Sequence, residues 1–117
     1  MKFRAAAKEQ GGPAQGGAHG VAADALRATE VAEILKAVAH PLRLRIVAVL
    51  CAEEISVNAL AARLGASQAI VSQQLRILRM HRLVVAVRQN GHATYRLLEP
   101  RLRDLVRCVE GCARGGG

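Results

Sequence analysis

Aromatic residues are almost missing from this chain. Among 117 residues there is one phenylalanine, Phe3, one tyrosine, Tyr95, and no tryptophan. Modules that grip RNA or single-stranded nucleic acid stack bases on aromatic rings, so this composition argues against that class. Long apolar runs are missing too. No stretch approaches the roughly 18–20 residues that a membrane span requires. The basic start Met1-Lys2-Phe3-Arg4 is not followed by the apolar segment of a secretory signal, so a cytoplasmic, reducing setting is expected. Acidic residues are scarce. Nine Asp and Glu stand against 17 Lys and Arg, a formal net charge of +8. That imbalance suits a polyanionic partner, although charge alone does not separate nucleic acid from a membrane surface. Three cysteines make no small-disulfide pattern. In a reducing compartment they are expected to be free, metal-bound or redox-active. No Gly-rich phosphate loop, His-Glu metal helix or Ser-His-Asp set stands in a recognisable context, so an enzyme is not expected.

What is present is an apolar fraction of 51%, enough for a folded core, in a length that suits one domain. Residues 1–20 hold Gly11, Gly12, Pro13, Gly16 and Gly17 and read as a disordered tail. Residues 115–117 are glycine and read as a flexible end, leaving one domain over 21–114. A long helix is predicted over 22–39, with Leu26, Val31, Ile34, Leu35 and Val38 on its apolar face. His40-Pro41 breaks it, because the residue before proline avoids the helical region while proline suits a first turn. A second helix is predicted over Leu42 to Ala52, with Leu42, Ile46, Val49 and Leu50 inward. Arg43 and Arg45 fall elsewhere on it and read as solvated or as phosphate contacts. After Glu99-Pro100 a last helix carries Leu102, Leu105, Val106 and Val109. Gly111, costing about 1 kcal/mol relative to alanine, is expected to end it.

The stretch from Ser56 to Met80 organises the rest. Ser56 can cap a short helix whose apolar positions are Leu60, Ala61 and Leu64. Gly65 follows where a helix exit calls for a left-handed backbone. Ser67 can cap a second helix with Ile70, Val71, Leu75 and Leu78 facing inward. Its outward face carries Gln68, Ser72, Gln73, Arg76 and Arg79, donors and acceptors suited to base edges and phosphates in a major groove. Leu83 to Val87 reads as a strand, Asn90-Gly91 as a hairpin turn and Ala93 to Leu98 as the return strand. Arg88 and His92 flank the tip, with Arg96 further down. From Ser67 to Arg96 there are five arginines and no Asp or Glu, whereas a solvated face normally mixes signs. The candidate DNA-binding residues are Ser67, Gln68, Ser72, Gln73, Arg76, Arg79, Arg88, Asn90, His92 and Arg96. The fold class is mainly α with a small β-hairpin, a winged helix-turn-helix in the order α-α-α-α-β-β-α.

LKAVAHPLRLRIVAVL, SVNALAARLGASQAIVSQQLRILR and LVVAVRQNGHATYRL together make the chain similar to the ArsR/SmtB family of bacterial winged-helix repressors. The similarity runs from about residue 22 to 114. It implies a homodimer on double-stranded operator DNA, released by a metal ion or a thiol-reactive signal, with no membrane partner and no permanent cofactor. The chain departs from the family at two known ligand sets. Ser56 and Asn58 stand where many relatives carry a Cys-x-Cys pair. Arg101 stands where a zinc-binding relative needs a histidine near Glu99, and a guanidinium does not ligate a cation.

The cysteines remain. Cys108 and Cys112 are four apart, so a continuous helix puts them on one face with Cβ atoms about 5–6 Å apart. A direct disulfide wants about 3.5–4.5 Å. Two thiolates at that spacing can share a soft ion, and Cys51 is the candidate third ligand. A thiophilic effector such as trivalent arsenic or antimony fits this set. A redox or persulfide switch between Cys51 and Cys108 or Cys112 stays open. So do three merely buried thiols and a winged-helix DNA-binding protein with no effector.

Overall fold

In a computed structural model of the chain, residues 16–116 are described, with side chains over 20–111. Of the tail expected over residues 1–20, residues 1–15 lie outside them. From Gly16 the chain is helical. The described residues fall into two compact units, one ending at Leu35 and one beginning at Lys36, divided inside a helix.

The first unit holds α1, Gly16–Ala23, and most of α2, Ala25–Val38. The single helix expected over 22–39 is split because Asp24 caps α2. Its carboxylate accepts from Leu26 N at 3.0 Å and Arg27 N at 3.1 Å, satisfying two donors that a helix start leaves open. No residue from 20 to 35 is fully buried, and Leu26 is 83% exposed.

The second unit is the core. The end of α2 (Ala37 and Val38, both buried) leads to α3, Pro41–Ala52. His40 is extended at φ −154°, and its Nδ1 accepts from Leu42 N at 3.1 Å. Histidine thus serves as the N-cap, with proline at the first helical position. Helix α3 touches both helices of the helix-turn-helix, the last helix and the return strand, so more than one of its faces is covered. Its buried residues are accordingly Ile46, Val47 and Leu50, while Leu42 and Val49 are only half-buried. After β1, Ile55–Ser56, come α4, Val57–Leu64, and α5, Gln68–Met80. Then follow β2, Val84–Gln89, β3, His92–Leu97, and α6, Arg101–Gly116.

The expected hairpin gains a third strand. The sheet order is β1-β3-β2, all antiparallel, with Ile55 opposite Tyr95. Leu60, Val71, Leu75, Leu78, Leu83 and Leu102 join α3's residues in one apolar core that contains no buried polar side chain among the described residues. Gly111 does not end α6. It is exposed, and a Cβ there would meet nothing within 4 Å, so the helix carries glycine's entropic cost and continues to Gly116.

Candidate nucleic-acid interface and thiol sites

The turn between α4 and α5 is fixed by backbone geometry. Gly65 sits at φ 65°, ψ 35°. Its N–H donates to Ala62 O at 3.3 Å, and Ala66 N to Ala61 O at 3.1 Å, the pairing that closes a left-handed helix exit. The hydroxyl of Ser56 accepts from Ala59 N and that of Ser67 from Ile70 N, both at 3.2 Å. Both serine caps are therefore where the sequence places them.

Helix α5 buries Val71, Leu75 and Leu78. Ile70, expected inward, is 48% exposed instead. It precedes Val71 by one position, about 100° around the helix, and so leaves the buried stripe. Gln68, Ser72, Gln73, Arg76 and Arg79 are all exposed, as is Ser67. Beyond α5 the chain turns through His81 and Arg82, the latter at φ 60°. Arg82 N donates to Arg79 O at 2.9 Å and Leu83 N to Leu78 O at 3.0 Å, repeating the exit pattern seen at Gly65. Leu78 and Leu83 are both buried beneath this turn.

The wing closes through a two-residue turn. Gln89 faces His92, and the connecting Asn90 and Gly91 have φ of 51° and 81°. Positive φ at both central residues is what a primed hairpin turn demands. Arg88, Asn90, His92 and Arg96 are exposed. The register does not gather them on one side. Arg88 pairs with Ala93 and shares its face with the buried Val84–Leu97 pair. Arg96 pairs with Val85, and His92 with Gln89, on the opposite face. On that face the Thr94 hydroxyl also donates to Glu54. Arg96 is four residues from His92, about 13 Å along the strand, so it is set back from the tip. Among the described residues, Arg76, Arg79, Arg82, Arg88 and Arg96 have no carboxylate partner. Ion pairs instead join Arg63 to Glu53, Arg101 to Glu99 and Arg107 to Asp104.

Arg43 and Arg45 were expected to be solvated or to meet phosphate. Both donate to protein groups, Arg43 half-buried and Arg45 still exposed to solvent. Arg43 Nε donates to Ala37 O and its Nη1 to Gln74 Oε1 at 2.8 Å. Arg45 Nη2 donates to Leu64 O at 3.2 Å. No local pattern announces the bonds to Gln74 and Leu64, which lie 31 and 19 positions away.

Cys51 lies in the last turn of α3, half-buried, and Cys108 is exposed on α6; both are free thiols. The side chain of Cys112 lies outside the described residues. Burial pushes the Cys51 thiol above its ordinary value. The Arg103 guanidinium opposes that, with weaker effects from Glu110 and Arg107. Arg103 also donates to the Cys51 carbonyl, one of the acceptors a helix end leaves open. Cys108 is one position, about 100°, round α6 from Arg107. Among the described residues no three His, Cys, Asp or Glu are grouped closely enough to hold a metal ion. The Glu99 carboxylate is taken up by Arg101, whose Nε lies at 2.8 Å and backbone N at 3.0 Å. Between α3 and α6 an open apolar cavity of about 230 Å³ is lined by Leu44, Arg45, Ala48, Val106, Val109 and Glu110.

Residues 40–85 match the family model described as bacterial regulatory protein, arsR family. The chain is 40% identical over 83 residues to the biofilm growth-associated repressor of Xylella fastidiosa, covering 71% of this chain and 73% of that protein. It is similar to the solution structure of the homodimeric winged helix-turn-helix domain Mb0332 from Mycobacterium bovis, with a TM-score of 0.67 and 29% identity. That similarity covers 89% of this chain and 90% of the other. The crystal structure of AntR, an antimony-specific transcriptional repressor, aligns with a TM-score of 0.72 at 27% identity, over 78% of this chain and 83% of that one.

Proposed function

The chain belongs to the bacterial arsR family of regulatory proteins, and we propose that it is a homodimeric transcriptional repressor that binds double-stranded operator DNA and releases it through its cysteines. One observation carries the DNA half of this reading. The exposed side of α5 and the wing presents glutamines, serines and arginines with no carboxylate anywhere from Ser67 to Arg96. In a major groove, Gln73 reads a base edge and Arg76 and Arg79 meet phosphate, while Arg88, Asn90 and His92 reach the flanking backbone. Arg96 contributes charge rather than direct contact. Exposed apolar side chains on α2, Leu26 and Leu35, suit burial by a second copy, and so separately does Val109 on α6. The homodimeric relative supports that assembly, which spaces two half-sites about 10 base pairs apart.

The test begins with an operator selected from random duplexes by the reduced protein. Gln73→Ala costs about 1–3 kcal/mol on that operator and relaxes one base position. Arg88→Ala weakens cognate and random DNA alike and lowers the salt slope by about one. Equal, salt-insensitive losses for both would reject the placement. A reduced protein with no salt-sensitive DNA binding would reject the function.

The effector we propose is a thiophilic ion, trivalent arsenic or antimony, held by Cys51, Cys108 and Cys112; similarity to an antimony-specific repressor supports this. A second reading is favoured by the Cys51 thiol lying next to Arg103 and Arg107, whose positive charge opposes the effect of burial on it. In it, Cys51 and Cys108 or Cys112 pass two electrons and two protons to an oxidant such as peroxide, giving a disulfide and two waters. Titrating the operator complex with arsenite, antimonite, peroxide and polysulfide separates the two. Loss of the arsenite response in all three single serine variants selects the ion. A response to peroxide or polysulfide alone selects the switch.

A further inference from the structure

Resting on the operator-binding reading, we propose that Arg43 is a positioning residue that sets the rotation of the recognition helix α5 by clamping Gln74 to the end of α2. Guanidinium is a rigid planar fork of five donors, so two bonds from different nitrogens fix two acceptors relative to each other. Arg43 uses Nε on Ala37 O, in the last turn of α2, and Nη1 on Gln74 Oε1 at 2.8 Å. The first acceptor is a helix-terminal carbonyl, where positive charge is favourable. The second is midway along α5. Both bonds are part-buried, which protects them from competition by water.

Apolar packing sets which face of α5 is buried, and a directional bond sharpens its rotation. Val71, Leu75 and Leu78 hold the helix against the core, but that attraction is non-directional. A hydrogen bond has a direction and a narrow distance window of about 2.7–3.2 Å. Gln74 is half-buried and immediately follows the exposed Gln73. At a side-chain radius of about 5–6 Å, a rotation of about 20° moves the tip of Gln73 by about 2 Å. That is enough to take it out of hydrogen-bond range of a base edge. Holding Gln74 therefore aims Gln73, although Arg43 itself need not touch DNA.

The experiment compares wild type, Arg43→Lys, Gln74→Met and the double variant on the selected operator and on random duplex, across a salt series. Binding is corrected for the folded fraction measured by circular dichroism. Lysine keeps the charge and loses the fork, so it is the milder probe should a neutral substitution fail to fold. Each single variant is expected to lower the cognate-to-random affinity ratio about tenfold, with the salt slope unchanged. The double variant is expected to be no worse than the more damaging single variant. Equal losses on cognate and random DNA with a slope reduced by about one would make Arg43 a phosphate contact and overturn the proposal. So would an unchanged ratio accompanied only by lower stability, or a double variant that loses the product of the two single effects. These outcomes leave operator binding itself intact. Absence of salt-sensitive DNA binding in the wild type would instead overturn the operator reading and this one with it.

Discussion

Replacing Arg82 by glycine should make the protein more stable, although it removes an arginine from the basic side of the molecule. Arg82 lies at φ 60°, in the left-handed region, as α5 hands over to the wing. For a residue with a Cβ that conformation costs about 1–2 kcal/mol. Glycine removes this cost but brings extra freedom to the unfolded chain, worth about 0.4–1 kcal/mol against the folded state. The turn's two hydrogen bonds, Arg82 N to Arg79 O and Leu83 N to Leu78 O, are made by backbone atoms and survive the change. The Arg82 side chain is exposed, and no carboxylate partners it among the described residues, so no ion pair is lost. The balance is a gain of about 0.5–1 kcal/mol, or a rise of about 2–4 °C in Tm for a chain of this size. Thermal and urea unfolding followed by circular dichroism would measure it, at one fixed protein concentration because a dimer's stability depends on concentration. Arg82→Ala is the control, since it loses the same charge and keeps the strained Cβ. If the glycine variant is no more stable than the alanine variant, the strain argument is wrong.

Gly65→Ala should destabilise by about 1 kcal/mol, because φ 65° is unfavourable for alanine even though a Cβ there meets nothing within 4 Å. Gly65→Asn should lose less, and equal urea midpoints for the two would contradict a backbone origin. Burial keeps Cys51 a thiol at neutral pH, so its alkylation by iodoacetamide should be slow at pH 7 and accelerate as pH rises towards its raised pKa. Arg103→Ala removes the opposing guanidinium and should slow that reaction further at a given pH, read by peptide mass with Cys108 as the internal reference. A faster Cys51 in that variant would show that Arg103 shields the sulfur rather than charging it. Glu99 is held below its ordinary value of 4.5, chiefly by the Arg101 side-chain hydrogen bond. Its contribution to stability is therefore present above the unfolded pKa and lost as pH falls through the lower folded value. Glu99→Gln should flatten the acid limb of a stability–pH curve, and an unchanged limb would remove Glu99 from the account.

What was legible in the sequence was what is local. Ser56, Gly65, Ser67 and Asn90-Gly91 each act within a few residues, through a cap or a positive φ, and each sits where its residue type predicts. Long-range partners leave no such trace. Arg43 looks like any solvated arginine until α3 and α5 are packed, and only then does its fork reach Gln74. The third strand was equally hidden, because Ile55–Ser56 is two residues long and acquires its strand character only by pairing with β3. Asp24 falls inside the helix expected over 22–39. A carboxylate that accepts two N–H groups nevertheless starts a new helix there. The wing shows the same limit in a form that bears on function. Arg88, His92 and Arg96 are near one another in sequence, yet a strand's period of two distributes them over both faces once the register is set. A row of like charges in a hairpin therefore overstates how many of its side chains can face one partner.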